Sequence, residues 1–319
     1  MVTFTFFLRR LVFSLITLLV ASVVVFAITQ VLPGDPAELI LGINAQEDTL
    51  AALREQMGLN APVFERYFDW IGGILVGDFG TSYTYSVPVS ELILERLWIS
   101  LPLAIMALLI STIIAIPAGV FAASRHNKLS DVSIMGLTQL GIAVPNFWFA
   151  MLLVLIFSIK LRWMPAGGFA GWENGIGAGV FSLLLPALAL ALPQASILAR
   201  IMRSALLDVL QEDYMRTARA KGLTHRLVLW RHGVRNAFIP VLTILGLQFS
   251  FLIAGTIIIE NIFYLPGLGR LIFQAITQRD LIVLQGLVLL LVATVIFVNF
   301  LVDAAYAMVD PRIKRAYHE

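Results

Sequence analysis

The chain contains no cysteine, so it forms neither a disulfide nor a thiolate metal site. Its four histidines are followed by Asn, Arg, Gly and Glu, with no second histidine at metal spacing, and the HExxH pattern is missing. No metal site is expected. None of the four lysines follows a Gly-x4-Gly pattern. Without that phosphate-binding loop the chain is not expected to hydrolyse ATP, and no catalytic residue is assigned. Charge of either sign is scarce: Asp, Glu, Lys and Arg make up 13% of the residues, against about 25% in soluble domains. The formal net charge of +2 argues against a nucleic-acid partner. Inside the apolar runs charge is almost absent. Glu260 and Asp303 fall at run ends, where solvent is expected to reach them, so a proton relay has little support.

What fills the chain instead is apolar: 59% of its residues are hydrophobic, and the mean hydropathy is +0.90. About 20 apolar residues cross a bilayer. Spans are predicted near residues 11–32, 97–123, 132–159, 181–201, 237–259 and 281–302, giving an all-α polytopic membrane protein with both ends on one side. The first run, Leu11–Leu32, exceeds the roughly 7–15 residues of a signal-peptide core and reads as a retained helix. Residues 1–10, 124–131, 200–236 and 303–319 hold fifteen Lys and Arg against seven acids; the opposite side holds seven against thirteen. The positive-inside rule then places both termini in the cytoplasm.

Residues 1–319 are read as a single membrane domain with an extracytoplasmic helical segment at 33–96. There, Asp48–Met57 and Val63–Val76 are expected to be helical, the second with Phe64, Phe68, Ile71 and Leu75 at helical spacing. Gly58 and Pro62 separate them, and Gly77–Tyr83 reads as a turn. The segment suits either a cap on the outer mouth or a dock for a soluble delivery protein. The second outer segment, Arg162–Gly179, is glycine-rich and is expected to be a flexible loop. Six prolines, Pro102, Pro117, Pro145, Pro186, Pro193 and Pro240, lie within the predicted spans and are expected to kink or interrupt them. Near several of them stand Asn146, Gln194, Ser196, Gln248 and Ser250, candidates for a polar translocation path. Each alone equally suits an interhelical hydrogen bond.

The most informative stretch is Glu212–Pro240, EDYMRTARAKGLTHRLVLWRHGVRNAFIP. Its six cations between Arg216 and Arg235 would cost about 15–20 kcal/mol at the bilayer centre, so it stays outside the hydrocarbon. Asp213–Lys221 lacks Gly and Pro and favours helix. Gly222 suits a helix end, and Thr224 suits the cap of a second helix. In that second helix Leu227, Trp230 and Val234 share one face, and Arg231 and Arg235 lie four apart on a neighbouring one, so the stretch is apolar on one side and cationic on the other. A solvated basic loop explains the charge alone. Two short helices around a glycine point further, to a docking surface.

This stretch resembles the cytoplasmic loop of binding-protein-dependent ABC importer permeases. Their general motif is Glu-Ala-Ala, three residues, then Gly. Arg216, Thr217 and Ala218 occupy the first three places and Gly222 the last, so only Ala218 and Gly222 fit strictly. The downstream Ile-x-Leu-Pro corresponds to His232, Gly233, Val234 and Arg235. These departures are those of the dipeptide, oligopeptide and nickel permease branch, whose members EDYMRTARAKG and RHGVRNAFIP resemble. LPGDPA at Leu32–Ala37, GDFGTSY at Gly77–Tyr83, LPGLGR at Leu265–Arg270 and DPRI at Asp310–Ile313 extend the likeness over nearly the whole chain.

The resemblance implies a type I importer permease fold in a bacterial inner membrane, with 212–240 as a coupling-helix loop. It implies a second permease subunit, two cytoplasmic ATPases that bind ATP and Mg, and an extracytoplasmic substrate-binding protein. Asp213, Arg216, Ala218, Lys221, Gly222, Leu223, Arg226, Arg231 and Arg235 would couple to the ATPases. Peptides are the substrate it suggests first, with nickel or another small solute as the alternative. An intramembrane enzyme would need a nucleophile–base pair or metal cluster that the sequence lacks. A passive channel leaves the cationic loop unexplained.

Overall fold

The computed structural model of the protein describes residues 2–31, 36–42 and 46–309. LPGDPA lies outside the described residues up to Asp35, and DPRI lies outside them entirely. The described chain is helical: α1 Val2–Val31, α2 Pro36–Leu41, α3 Glu47–Gln56, α4 Val63–Leu75, α5 Val89–Ser124, α6 Leu129–Ala143, α7 Asn146–Leu153, α8 Ile176–Gln211, α9 Asp213–Ala220, α10 His225–Val228, α11 Arg235–Ile262, α12 Leu268–Gln278 and α13 Leu281–Val309. Two π-helical segments, Val154–Lys160 and Leu229–Val234, extend α7 and join α10 to α11. Contacts divide the chain into two compact units, one built on Leu101–Leu265 with the chain ends bounded at Phe7 and Val298, the other on Leu8–Ser100 and Pro266–Phe297.

Among the described residues five helices are long and apolar enough to cross a membrane. The sixth predicted span, 132–159, is instead two helices, α6 and α7, bent by 100°. Pro145 causes the break. It forces Val144 out of the helical region, to ψ 122°, and then caps α7 at its own fixed φ of −63°. The other five prolines stay inside α5, α8 and α11, so the expected interruption occurs at Pro145.

In the first unit α8 packs against α6, α7 and α11. Small residues permit this. A Cβ on Gly119 would stand 2.6 Å from the Ala199 carbonyl oxygen and 2.8 Å from Met202 Cβ, so α5 meets α8 at backbone distance. Met202, Leu198 and Leu206 are fully buried there with Val241 of α11. Two expectations are corrected. Glu260 is completely buried rather than solvent-accessible. The 162–175 loop is ordered: the Gly168 amide donates to the Phe263 carbonyl at 2.7 Å, and Trp172 lies over Gly179, already inside α8.

In the second unit GDFGTSY is tied down by one carboxylate. Asp280, buried in the turn before α13, accepts from the Ser82 hydroxyl at 2.5 Å, the Thr84 amide at 3.0 Å and the Val283 amide at 3.3 Å. Burial pushes the Tyr83 hydroxyl up to about 12, helped by the Asp280 charge and opposed by Arg66, so Tyr83 stays neutral. The Leu268 amide of LPGLGR donates to Ser100 Oγ at 2.8 Å. Helices α3 and α4 match their predicted positions to within one residue at each end.

Candidate functional site

The polar stretch folds into an elbow. Glu212 takes extended backbone and ends α8, and α9 begins at Asp213. Met215 and Ala218, three apart on α9, are buried against Val228 of α10, with Val209, Leu210 and Leu223 around them. The rest of α9 faces outward. Lys221 closes the helix, and Gly222 follows at φ +82°, the left-handed conformation that glycine accepts at no steric cost. Thr224 then caps α10, its hydroxyl accepting from the Leu227 amide at 3.4 Å.

Of the apolar face read from the sequence, Val234 packs against the core while Leu227 and Trp230 do not. Leu227 and Trp230 are 43% and 50% exposed, while Val228, Leu229, Gly233, Ala237 and Val241 are buried. The glycine explains the choice. A Cβ on Gly233 would stand 3.1 Å from Leu206 Cδ1 and 3.5 Å from Met215 Cε, so the helix lies down on the side where it has no side chain. The π turn over Leu229–Val234 takes up one extra residue and moves the apolar stripe accordingly.

All six cations, Arg216, Arg219, Lys221, Arg226, Arg231 and Arg235, are exposed. Arg216 approaches Asp213 at 3.7 Å, but both side chains are solvated and the pair adds little stability. The elbow thus exposes Tyr214, Leu227 and Trp230 along with the six cations. Exposed aromatics beside arginines are the side chains that anchor protein interfaces.

The five path candidates fall on three helices, Asn146 on α7, Gln194 and Ser196 on α8, and Gln248 and Ser250 on α11. Gln248 of α11 is 3% exposed and donates from Nε2 to the Gln194 carbonyl of α8 at 2.9 Å. Its Oε1 is buried without a hydrogen-bond partner among the described residues. Ser196 is buried against Gly141 and donates to its own helix at the Leu192 carbonyl, 3.0 Å away. Ser250 does the same with Gly246 at 3.4 Å. Asn146 opens α7 at the bend. Beside that bend lies an apolar cleft of about 210 Å³, lined by Leu140, Gly141, Val144, Phe149, Leu192 and Pro193.

Sequence reasoning missed one cluster. Asp131, 3% exposed, receives Arg203 Nε at 2.6 Å and Nη2 at 2.7 Å, a two-pronged pair joining α6 to α8. The Asn127 amide donates to the same carboxylate at 3.0 Å, and His126 Nδ1 lies 3.1 Å from Arg203 Nη2. The partners are 72 positions apart. The only sequence signal was an acid one residue before the predicted span 132–159 and an arginine two residues past the predicted span 181–201. Arg203 lies on the same helix that enters the elbow, so the cluster holds the elbow's stem.

Two family models match the chain. The model described as binding-protein-dependent transport system inner membrane component covers residues 115–315, and its N-terminal counterpart covers residues 3–104. A putative peptide transport system permease protein of Brucella abortus is 41% identical over 96% of this chain and 98% of its own length. A glutathione transport system permease protein of Salmonella choleraesuis is 42% identical over the same shares. In inward-facing structures of the MetNI methionine ABC transporter, one chain superposes with a TM-score of 0.56 at 16% identity, covering 69% of this chain and 97% of that one. This likeness concerns the fold.

Proposed function

The chain belongs to the family of binding-protein-dependent transport system inner membrane components, and from that premise we propose that it is half of a peptide-translocating pore driven by partner ATPases. The observation that carries this reading is the elbow: two short helices set by Gly222, packed inward through Met215 and Ala218 and presenting arginines and aromatics outward. The elbow docks an ATPase through Arg216, Lys221, Arg226, Arg231 and Arg235, with Asp213 closing the near end of the surface. Ala218, Gly222 and Leu223 set its shape. Closure of two ATPases around ATP and Mg pushes the elbow, and α8 and α11 carry the movement inward, because both run directly from it. A second permease subunit supplies the other half of the path, and a soluble binding protein delivers the substrate. Gln248, with an acceptor oxygen unused by the protein, is the side chain suited to meet a passing peptide amide beside Gln194.

Peptide is the proposed substrate because relatives over 40% identical along nearly the whole chain carry peptide and glutathione transport names. The test is uptake by vesicles containing the chain with its cognate second permease, ATPases and binding protein. We expect ATP-dependent accumulation of labelled short peptides, and saturation of uptake by the binding protein. Uptake of nickel and not of peptide would replace the substrate assignment.

The charge asymmetry supports a topology with both termini and the elbow in the cytoplasm, which requires the bent pair α6–α7 to count as one crossing. A single cysteine at His225 should resist an impermeant thiol reagent in intact cells, while one at Glu55 reacts. The reverse pattern overturns the topology.

A further inference from the structure

Helix α4 has three faces, and one of them is left uncovered by the described residues. Tyr67 and Trp70 turn toward α1: the Tyr67 hydroxyl is 2.8 Å from Ser22 Oγ, and the Phe26 ring lies 5.4 Å and 5.7 Å from the Tyr67 and Trp70 rings. Glu65, Arg66 and Asp69 occupy a polar face. On the third face Phe64, Phe68 and Leu75 are 79%, 66% and 81% exposed, with Ile71 between them at helical spacing.

The contacts to α1 set the height at which this apolar stripe is held. Ser22 and Phe26 lie nine and five residues inside the apolar run Phe7–Val31. At 1.5 Å per residue they sit about 13 and 8 Å below its end. A hydrocarbon core takes up about 20 residues, and the run has 25. Helix α4 is therefore tied to the part of α1 that crosses the headgroup–acyl boundary, and α1 is itself open to lipid there, with Val23, Val24 and Ile28 about half exposed. An amphipathic helix in that position sinks its apolar face about 5–10 Å into the boundary. Tyr and Trp are the residues enriched at this level.

We propose that α4 is an interfacial helix. Phe64, Phe68, Ile71 and Leu75 lie among acyl chains of the leaflet that receives the C-terminal half of α1, and Glu65, Arg66 and Asp69 face headgroups and water. The lipid surface fixes the height of the whole 47–75 segment, so a soluble partner meets a platform that does not rise and fall.

Because the chain has no cysteine, single nitroxide labels can be placed at Phe64→Cys, Phe68→Cys and Leu75→Cys, with Glu65→Cys and Asp69→Cys as the polar-face pair. The labelled chain is assembled with its partner subunits in lipid vesicles, and collision with oxygen is compared with collision with a water-soluble nickel chelate. Positions 64, 68 and 75 should favour oxygen, and positions 65 and 69 the chelate. Chelate access at 64, 68 and 75 would place the stripe in water. Exclusion of both reagents would mean a protein covers it, the binding protein if access returns on its removal and another subunit if it does not. Either result overturns the proposal. The three labels sit at separate positions along the stripe, so a single variant that fails to assemble leaves two readings.

Discussion

Replacing Gly222 with valine is expected to leave the chain in the membrane at near-normal level while removing most substrate-stimulated ATP hydrolysis and most uptake. Gly222 sits at φ +82°, and a Cβ there would meet nothing within 4 Å. The whole effect of the substitution is therefore on the backbone. An L-residue in the left-handed conformation costs about 1–2 kcal/mol, which shifts the balance between elbow geometries by about 5–30-fold. That is too little to oppose insertion of several apolar spans. It is enough to swing Thr224 and Arg226 away from α9, because Met215 and Ala218 reach Val228 only across this turn. The open space makes a graded series possible. Asparagine, which tolerates this conformation, should retain more coupling than alanine, and alanine more than valine, whose β-branch suits it worst. The measurement is ATPase rate in reconstituted vesicles with and without loaded binding protein, alongside uptake. A valine variant with full stimulation and full uptake would show that the glycine only permits the turn and that its geometry is not read by a partner.

The second large effect is expected at Asp131. Asp131 has 3% of its side chain exposed while Arg203 keeps 22%, so the pair is only partly desolvated. Removing one member should cost less than the roughly 3–5 kcal/mol of a fully buried pair, because Arg203 can turn to water and Asp131 keeps the Asn127 amide and His126. Asp131→Ala should lower the thermal stability of the purified complex and its yield. Arg203→Met, which leaves the carboxylate with the Asn127 amide but no cation on α8, should do the same. The double variant should be more stable than either single one, since neither charge is then stranded. Additive losses in the double variant would show that the two side chains act separately and that the clamp between α6 and α8 is not what they supply.

The fold class and the elbow were legible because they rest on local signals. Apolar runs of about 20 residues dictate membrane crossing whatever their neighbours are. Gly222 and Thr224 were readable as helix stop and start for the same reason: each acts through its own backbone or its own hydroxyl. The packed face of the second elbow helix was not readable. Periodicity groups Leu227, Trp230 and Val234 on one face, whereas the helix lies on Val228, Leu229 and Gly233 with only Val234 of that face packed inward. Among apolar residues on every side, hydrophobicity does not distinguish the core face, and the close approach at Gly233 decides it.

Membrane proteins make this limit general. Lipid and protein interior are equally apolar, so sequence determined which segments leave water but not which side of each meets protein. Composition, the apolar runs, the cationic loop and its glycine determined the class of this protein and the position of its elbow. Tertiary structure alone decided that Pro145 breaks a span while five other prolines do not, and that Asp131 and Arg203 meet across 72 residues. It also decided that Glu260 is buried and that the apolar stripe of α4 is left bare. Each of these depends on which backbone approaches which. That is set by the summed packing of small residues such as Gly119 and Gly233 against distant helices, a quantity that no local window of sequence contains.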